Sequence, residues 1–238
     1  MGVIYYLRKN DLIDFSLQYY SISLLHYIGY YTIDKYQNPY ILIFIIFGLV
    51  PLFDIILPVD ERNPTEAEYK ILIKQNRFKI PIYLSVFTEW ALYIWAFNQA
   101  MTKDYGTAYL IGLFIAQALG EAVAINLSHE LNHKQSFISK FVGVTSLIKN
   151  LNSHFIIEHN GYHHVWVSTP TDTATSKLNQ PITNFIINSM IGSYKHSWGL
   201  ENKRCLETYG TKYSIKNFMI WSTLACILYP LTGYSYEF

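Results

Sequence analysis

Five apolar blocks separated by polar loops organise this chain, near residues 15–32, 40–59, 80–101, 105–127 and 218–234. The first is weakly apolar and rich in Tyr, whereas the second contains the run ILIFIIFGLV. Each is close to the roughly 20 residues a helix needs to cross about 30 Å of hydrocarbon. Tyr36, Tyr40, Tyr83, Trp90, Tyr105, Tyr109, Trp221 and Tyr236 crowd the block ends, where interfacial anchors belong. Any one block could be the core helix of a soluble protein, but four or five of this length predict membrane insertion. The expected fold is therefore all-α and integral to a membrane, with about five transmembrane helices. No repeat, low-complexity run or linker divides it, so 1–238 reads as a single membrane domain. Pro51 and Pro58 predict a kink and an exit in the second block, because proline breaks the backbone ladder.

Composition supports that pattern and narrows the function. Hydrophobic residues make up 51% and charged residues 15%, against about 25% charged in soluble domains. A net charge of +1 without a clustered basic excess gives no nucleic-acid footprint. Cys205 and Cys226 have neither metal-ligand spacing nor a disulfide pattern. The N-terminus has no removable signal pattern, and Gly2 lacks the Ser/Thr of a myristoylation motif. Basic loops alternate with poor ones: Arg8 and Lys9 precede the first block, and only Lys35 follows it. Arg62, Lys70, Lys74, Arg77 and Lys79 follow the second, and Lys103 alone follows the third. The loop beyond the fourth is rich in Lys. The positive-inside rule then places the N-terminus and the 128–217 region in the cytoplasm.

That region holds the candidate chemistry. His129 and His133 stand four apart in Ser128-His129-Glu130-Leu131-Asn132-His133-Lys134, so on a helix they share a face and can chelate one site. Alone, His-Glu-x-x-His also matches the zinc-peptidase signature, with Glu130 as base. A second group, Glu158-His159-Asn160-Gly161-Tyr162-His163-His164, repeats the spacing at His159 and His163 and adds His164. A zinc peptidase needs one further ligand, not a second chelating group. Two clusters of imidazoles with little sulfur suit redox-active iron with an open position for oxygen. The clusters must then converge, with ring nitrogens of one within roughly 4–8 Å of the other's, given paired-metal separations of about 3.5–4 Å. His159 and His163 should share a face, with His164 beside it. His154, five residues before His159, falls off that face and is expected at the edge of the site, and His26 and His196 outside it. Glu130, His154, Glu158 and Asp172 are candidates to support ligand imidazoles from behind; Asn132 and Asn160 are weaker ones.

At these residues the sequence resembles the membrane alkane 1-monooxygenase family, within the histidine-rich membrane hydroxylases and desaturases. HELNHK at 129–134 and EHNGYHH at 158–164 resemble its first two histidine boxes. TPTDTATS at 169–176 resembles the run that follows, and DERNP at 60–64 and SWGLENKR at 197–204 are further echoes. Gly161 and Tyr162 replace a variable residue and the usual glycine. The resemblance covers roughly residues 45–210. It implies two non-heme irons held by histidines, with His129, His133, His159, His163 and His164 among the metal ligands. It also implies terminal hydroxylation of alkanes or alkyl chains with O2, and electrons from a rubredoxin-type protein and its reductase. The setting implied is a bacterial inner membrane, with membrane lipid and hydrocarbon substrate as further partners.

The resemblance also implies two later histidine elements that this chain, ending at Phe238, does not contain. Five histidines cannot satisfy two irons, so the sequence is expected to lack the family's C-terminal part. Taken alone it is expected to bind iron poorly and to hydroxylate nothing. A xylene-type hydroxylase or a fatty-acyl desaturase on the same scaffold is the nearest alternative. Desaturase boxes mostly read His-x-x-His-His, and the His-x-x-x-His-His here favours hydroxylation. An inactive remnant with a partial metal site is the alternative of another class.

Overall fold

The computed structural model describes residues 15–57 and 64–234, and among them all regular structure is helical. A 3₁₀ turn, Phe15–Tyr20, runs into α1, Ser21–Tyr36. The second block forms α2, Tyr40–Ile56, and a short helix α3 covers Glu66–Leu72. The third and fourth blocks are α4, Ile80–Thr102, and α5, Thr107–Asn132. Beyond them come α6, Phe137–Ile148, a short helical stretch over residues 155–166, α8, Ile182–Tyr209, and α9, Phe218–Tyr234. The 155–166 stretch is called α7.

Among the described residues the five apolar blocks fall in helices, and two helices, Asn76–Thr102 and Thr107–Asn132, are long and apolar enough to cross a membrane. The apolar helices Tyr40–Ile56, Phe137–Ile148 and Phe218–Tyr229 are shorter. At 1.5 Å per residue the first of these reaches only about 25 Å. The kink expected at Pro51 takes the form of a π-helical segment, Ile45–Leu49, just before it. A proline lacks the N–H that would close the preceding turn, and a widened turn absorbs the defect. Pro58 and the acidic-basic residues of DERNP at 60–63 lie outside the described residues, as do Arg8, Lys9 and Tyr236.

The chain divides into two compact units, 1–127 and 128–238. In the first, α1 packs on α2 and α4, and Tyr30, Ile33, Leu42, Ala96, Leu113 and Ala116 form the core. Tyr30 meets Trp95 edge to face at 5.4 Å and donates its hydroxyl to Gln117, whose amide donates to Glu121 at 2.7 Å. Ser23 of α1 and Ser85 of α4 are hydrogen-bonded at 2.7 Å, so these two buried hydroxyls satisfy each other.

In the second unit α8 packs on the 155–158 turn of α7, and α9 packs on α6 and α8. The α8–α9 connection is fastened by Glu201, a buried carboxylate. It accepts from Arg204 Nε and Nη2 at 2.7 and 2.8 Å and from the Phe218 backbone N–H at 2.9 Å. Those bonds outweigh burial and hold its pKa below the usual carboxylate range. Because Phe218 opens α9, this one side chain ties the start of that helix to the middle of α8.

Candidate metal centre

The last turn of α5 carries His129, and His133 follows directly after its end. Their four-residue spacing puts both rings on one face, and the Nε2 atoms of His129 and His133 stand 3.1 Å apart.

The second pair is not the one the spacing predicts. Residues His159–His163 form a π-helical turn, with the His164 backbone N–H reaching back to the His159 carbonyl. A turn closed five residues apart brings i and i+5 together rather than i and i+4. His159 and His164 therefore pair, Nε2 to Nε2 at 2.8 Å. His163 stacks beside His159 at 5.4 Å between ring centres and turns its Nδ1 to Asp172 at 2.9 Å.

The two pairs converge within the second unit. One ring nitrogen each from His129, His133, His159 and His164 lies within 4.8 Å of all the others. His129 is 4.5 Å from His159 between ring centres, and His133 is 5.0 Å from His164. His159 is buried, and that burial, with the neighbouring imidazoles, pushes its pKa down to about 4. It is thus neutral at ordinary pH, the form in which imidazole ligates a metal. Metal–nitrogen bonds of about 2.0–2.1 Å allow two ligands of one ion to stand up to about 4.2 Å apart. The donor set accordingly fits one metal ion with a small closing movement.

Support comes from the 169–175 loop. Asp172 is buried, accepts from the Ala174 N–H at 3.0 Å and from the Thr175 hydroxyl, and faces His163. Burial alone would raise its pKa, but these hydrogen bonds dominate and hold it below the usual range. A carboxylate on one ring nitrogen fixes the tautomer and leaves the other nitrogen as the lone-pair donor. The loop is seated on α8 at Gly192, where an added Cβ would meet the Thr173 side chain at 2.4–2.5 Å. Gly192→Ala should cost about 1–3 kcal/mol through overpacking, read as a lower thermal midpoint in detergent. An unchanged midpoint would show that the loop moves freely.

The other expected residues fall as follows. Glu130 is exposed and ion-paired with Lys134, turned to solvent rather than poised as a peptidase base. Glu158 is buried with no hydrogen bond to Oε1. Burial raises its pKa, helped by Asp172 and opposed by His163. His154 is buried edge to face with Tyr194 at 5.3 Å, and its Nδ1 has no partner. Burial lowers its pKa. Neither His154 nor Glu158 belongs to the four-nitrogen group. His26 belongs to the 1–127 unit, and His196 stacks flat on Tyr162 at 3.7 Å. The Tyr162–His196 stack escaped sequence reasoning. Tyr162 stands in place of the usual glycine, and only the packing of α8 shows what its ring meets.

No family model matches the chain, but curated proteins do. Alkane 1-monooxygenase 1 of Alcanivorax borkumensis is 32% identical over 171 residues, 72% of this chain and 42% of that protein. Alkane 1-monooxygenase of Pseudomonas putida is 28% identical over 186 residues, 78% of this chain and 46% of that protein. Alkane 1-monooxygenase 2 of Pseudomonas aeruginosa is 28% identical over 211 residues, 86% of this chain and 55% of that protein. The chain thus spans about half the length of the curated relatives it matches. Both histidine boxes and the relatives point the same way, and the chain belongs to the alkane 1-monooxygenase family.

Proposed function

We propose that this chain carries part of the histidine-held di-iron centre of a membrane monooxygenase that hydroxylates the terminal methyl group of alkanes or alkyl chains. The observation that carries the reading is the convergence of His129, His133, His159 and His164 from two separate motifs, one of them on the last turn of a long apolar helix. His163, held by Asp172, is the fifth ligand. Two irons need more imidazoles than these five, so the centre is completed by donors beyond them. When bound, iron supplies reductive activation of O2, putting one oxygen atom into a C–H bond and the other into water.

The chain's own residues supply position and environment. Neutral His159 offers its lone pair without first losing a proton, and Asp172 sets which nitrogen His163 presents. The five apolar helices would lie in a bacterial inner membrane, with the N-terminus and the 128–217 region cytoplasmic, as the alternation of basic loops supports. A hydrocarbon already partitions into that bilayer and reaches the centre without crossing water. Electrons would come from a rubredoxin-type protein and its reductase at the cytoplasmic face.

The test is turnover by membranes holding the complete gene product, given a rubredoxin-type donor, its reductase, an alkane and ¹⁸O₂. A terminal alcohol carrying one ¹⁸O is expected, and substitution of His133 should remove it. An alkene product would move the reading to desaturation. Unlabelled alcohol, or labelled alcohol that survives loss of His133, would end it.

A further inference from the structure

We propose that α6 lies in the membrane interface with its large apolar face among lipid acyl chains, seating the histidine centre at the bilayer surface. This rests on the membrane reading above and alters one part of it, because the 128–217 region was expected to be cytoplasmic throughout.

α6 is built inside out for a helix in water. Its buried face is small and polar, with Ser139, Gly143 and Ser146 beside Leu147. Its exposed face carries Phe137, Ile138 and Phe141, which are 80%, 64% and 59% exposed. The two phenylalanine rings lie nearly parallel at 6.3 Å. A water-facing helix shows the reverse arrangement. Small residues packed inward with large apolar ones outward is the pattern of helices in lipid. Gly143 lets α6 cross the end of α5 closely, for an added Cβ would meet Asn132 Oδ1 at 2.8 Å and the Ser128 carbonyl at 3.2 Å. Twelve residues reach about 18 Å, too short to span a bilayer and suited to lying in its surface layer.

The turn after α6 closes on its own backbone. Leu151 takes a left-handed conformation, φ 53°, and its N–H bonds the Ile148 carbonyl at 2.9 Å, while Asn152 N–H bonds Leu147 at 3.0 Å. This double closure ordinarily uses glycine at the left-handed position. Here the chain accepts an apolar side chain instead, and leaves it exposed. The α9 helix adds two contacts to this turn: Ser153 and Ser222 bond at 2.8 Å, and Cys226 Sγ donates to the Leu151 carbonyl at 3.3 Å. Irregular backbone at membrane depth requires this kind of internal pairing. Next to it α9 exposes Trp221, Leu224, Ile227 and Leu228, so the apolar surface continues from one helix to the next.

The occupant is lipid because α6 follows directly on α5, a helix long and apolar enough to cross a membrane. Of the lysines near α6, Lys140 is half-buried on the helix, Lys134 is paired with Glu130, and Lys149 is buried. Lys140, on the helix itself, can lay its stem along acyl chains and put its ammonium among the headgroups. Phe137 follows His133 by four residues, so the interface and the histidines are separated by a single connection.

The test uses the wild-type chain in nanodiscs of phosphatidylethanolamine and phosphatidylglycerol, with a phospholipid bearing a diazirine in its acyl chain. Photolabelled sites are mapped by mass spectrometry. Residues 137–142 should be labelled as strongly as 111–115 in α5, where Ile111 and Phe114 are exposed. The charged 203–213 segment should remain unlabelled. Labelling of 111–115 with 137–142 as blank as 203–213 would overturn the inference and leave the membrane reading standing. Absence of label in both would bring down the membrane reading, and the inference with it. Protection of 137–142 from lipid together with crosslinks between chains would assign the face to a second copy instead.

Discussion

His159→Ala will weaken cobalt(II) binding by this chain more than about 100-fold, beyond the usual range for losing a mere supporting contact. His159 is the buried member of the four-imidazole group, 4.5 Å from His129 and 4.4 Å from His164 between ring centres. Its removal deprives the pocket of a donor that stands beside both His129 and His133 of the other pair. Cobalt(II) reports the coordination through its visible absorption, so loss of a ligand is read as a change in spectrum as well as affinity. The wild-type chain should take up one equivalent, because four nitrogens within 4.8 Å enclose one ion. His154→Ala should leave both spectrum and affinity unchanged, since His154 faces Tyr194 and not the group. Two equivalents bound, or a His159→Ala chain that titrates like wild type, would refute a single site formed by the four converging histidines with His163 beside them.

Much of this arrangement is legible in the sequence because it depends on short-range periodicity. The His129–His133 pair follows from helix geometry alone, and the convergence of the two boxes follows from the chemistry of a shared metal. The apolar blocks place the helices for the same reason, since length and hydropathy are local properties. What is not legible depends on departures from regular geometry. Nothing in Glu158-His159-Asn160-Gly161-Tyr162-His163-His164 announces a π turn, which exchanges His163 for His164 as the partner of His159. The pairing of Glu130 with Lys134 was available from their i, i+4 spacing, a known ion-pair register. The peptidase-like motif drew attention to the wrong use of that carboxylate. Exposure of Phe137 and Phe141 on α6 is settled only by packing at Gly143.

Asp172→Asn is expected to lower metal affinity by about 10–100-fold, the range for losing the carboxylate behind a ligating imidazole. The carboxylate bonds His163 Nδ1 at 2.9 Å, so that nitrogen carries the proton and Nε2 keeps its lone pair. An amide in the same place can present its own N–H to Nδ1. The ring then changes tautomer and its Nε2 becomes a donor that cannot ligate. The fold should survive, because the asparagine carbonyl can still accept from the Ala174 N–H and the Thr175 hydroxyl can rotate. His163→Ala should produce a loss of similar size, and the double variant should lose little more than either single one. Non-additivity of that kind marks two residues acting through one contact. Additive losses would mean that Asp172 acts through the loop and not through His163. An Asp172→Asn chain with unaltered affinity beside a weakened His163→Ala chain would remove the carboxylate from the site's design altogether.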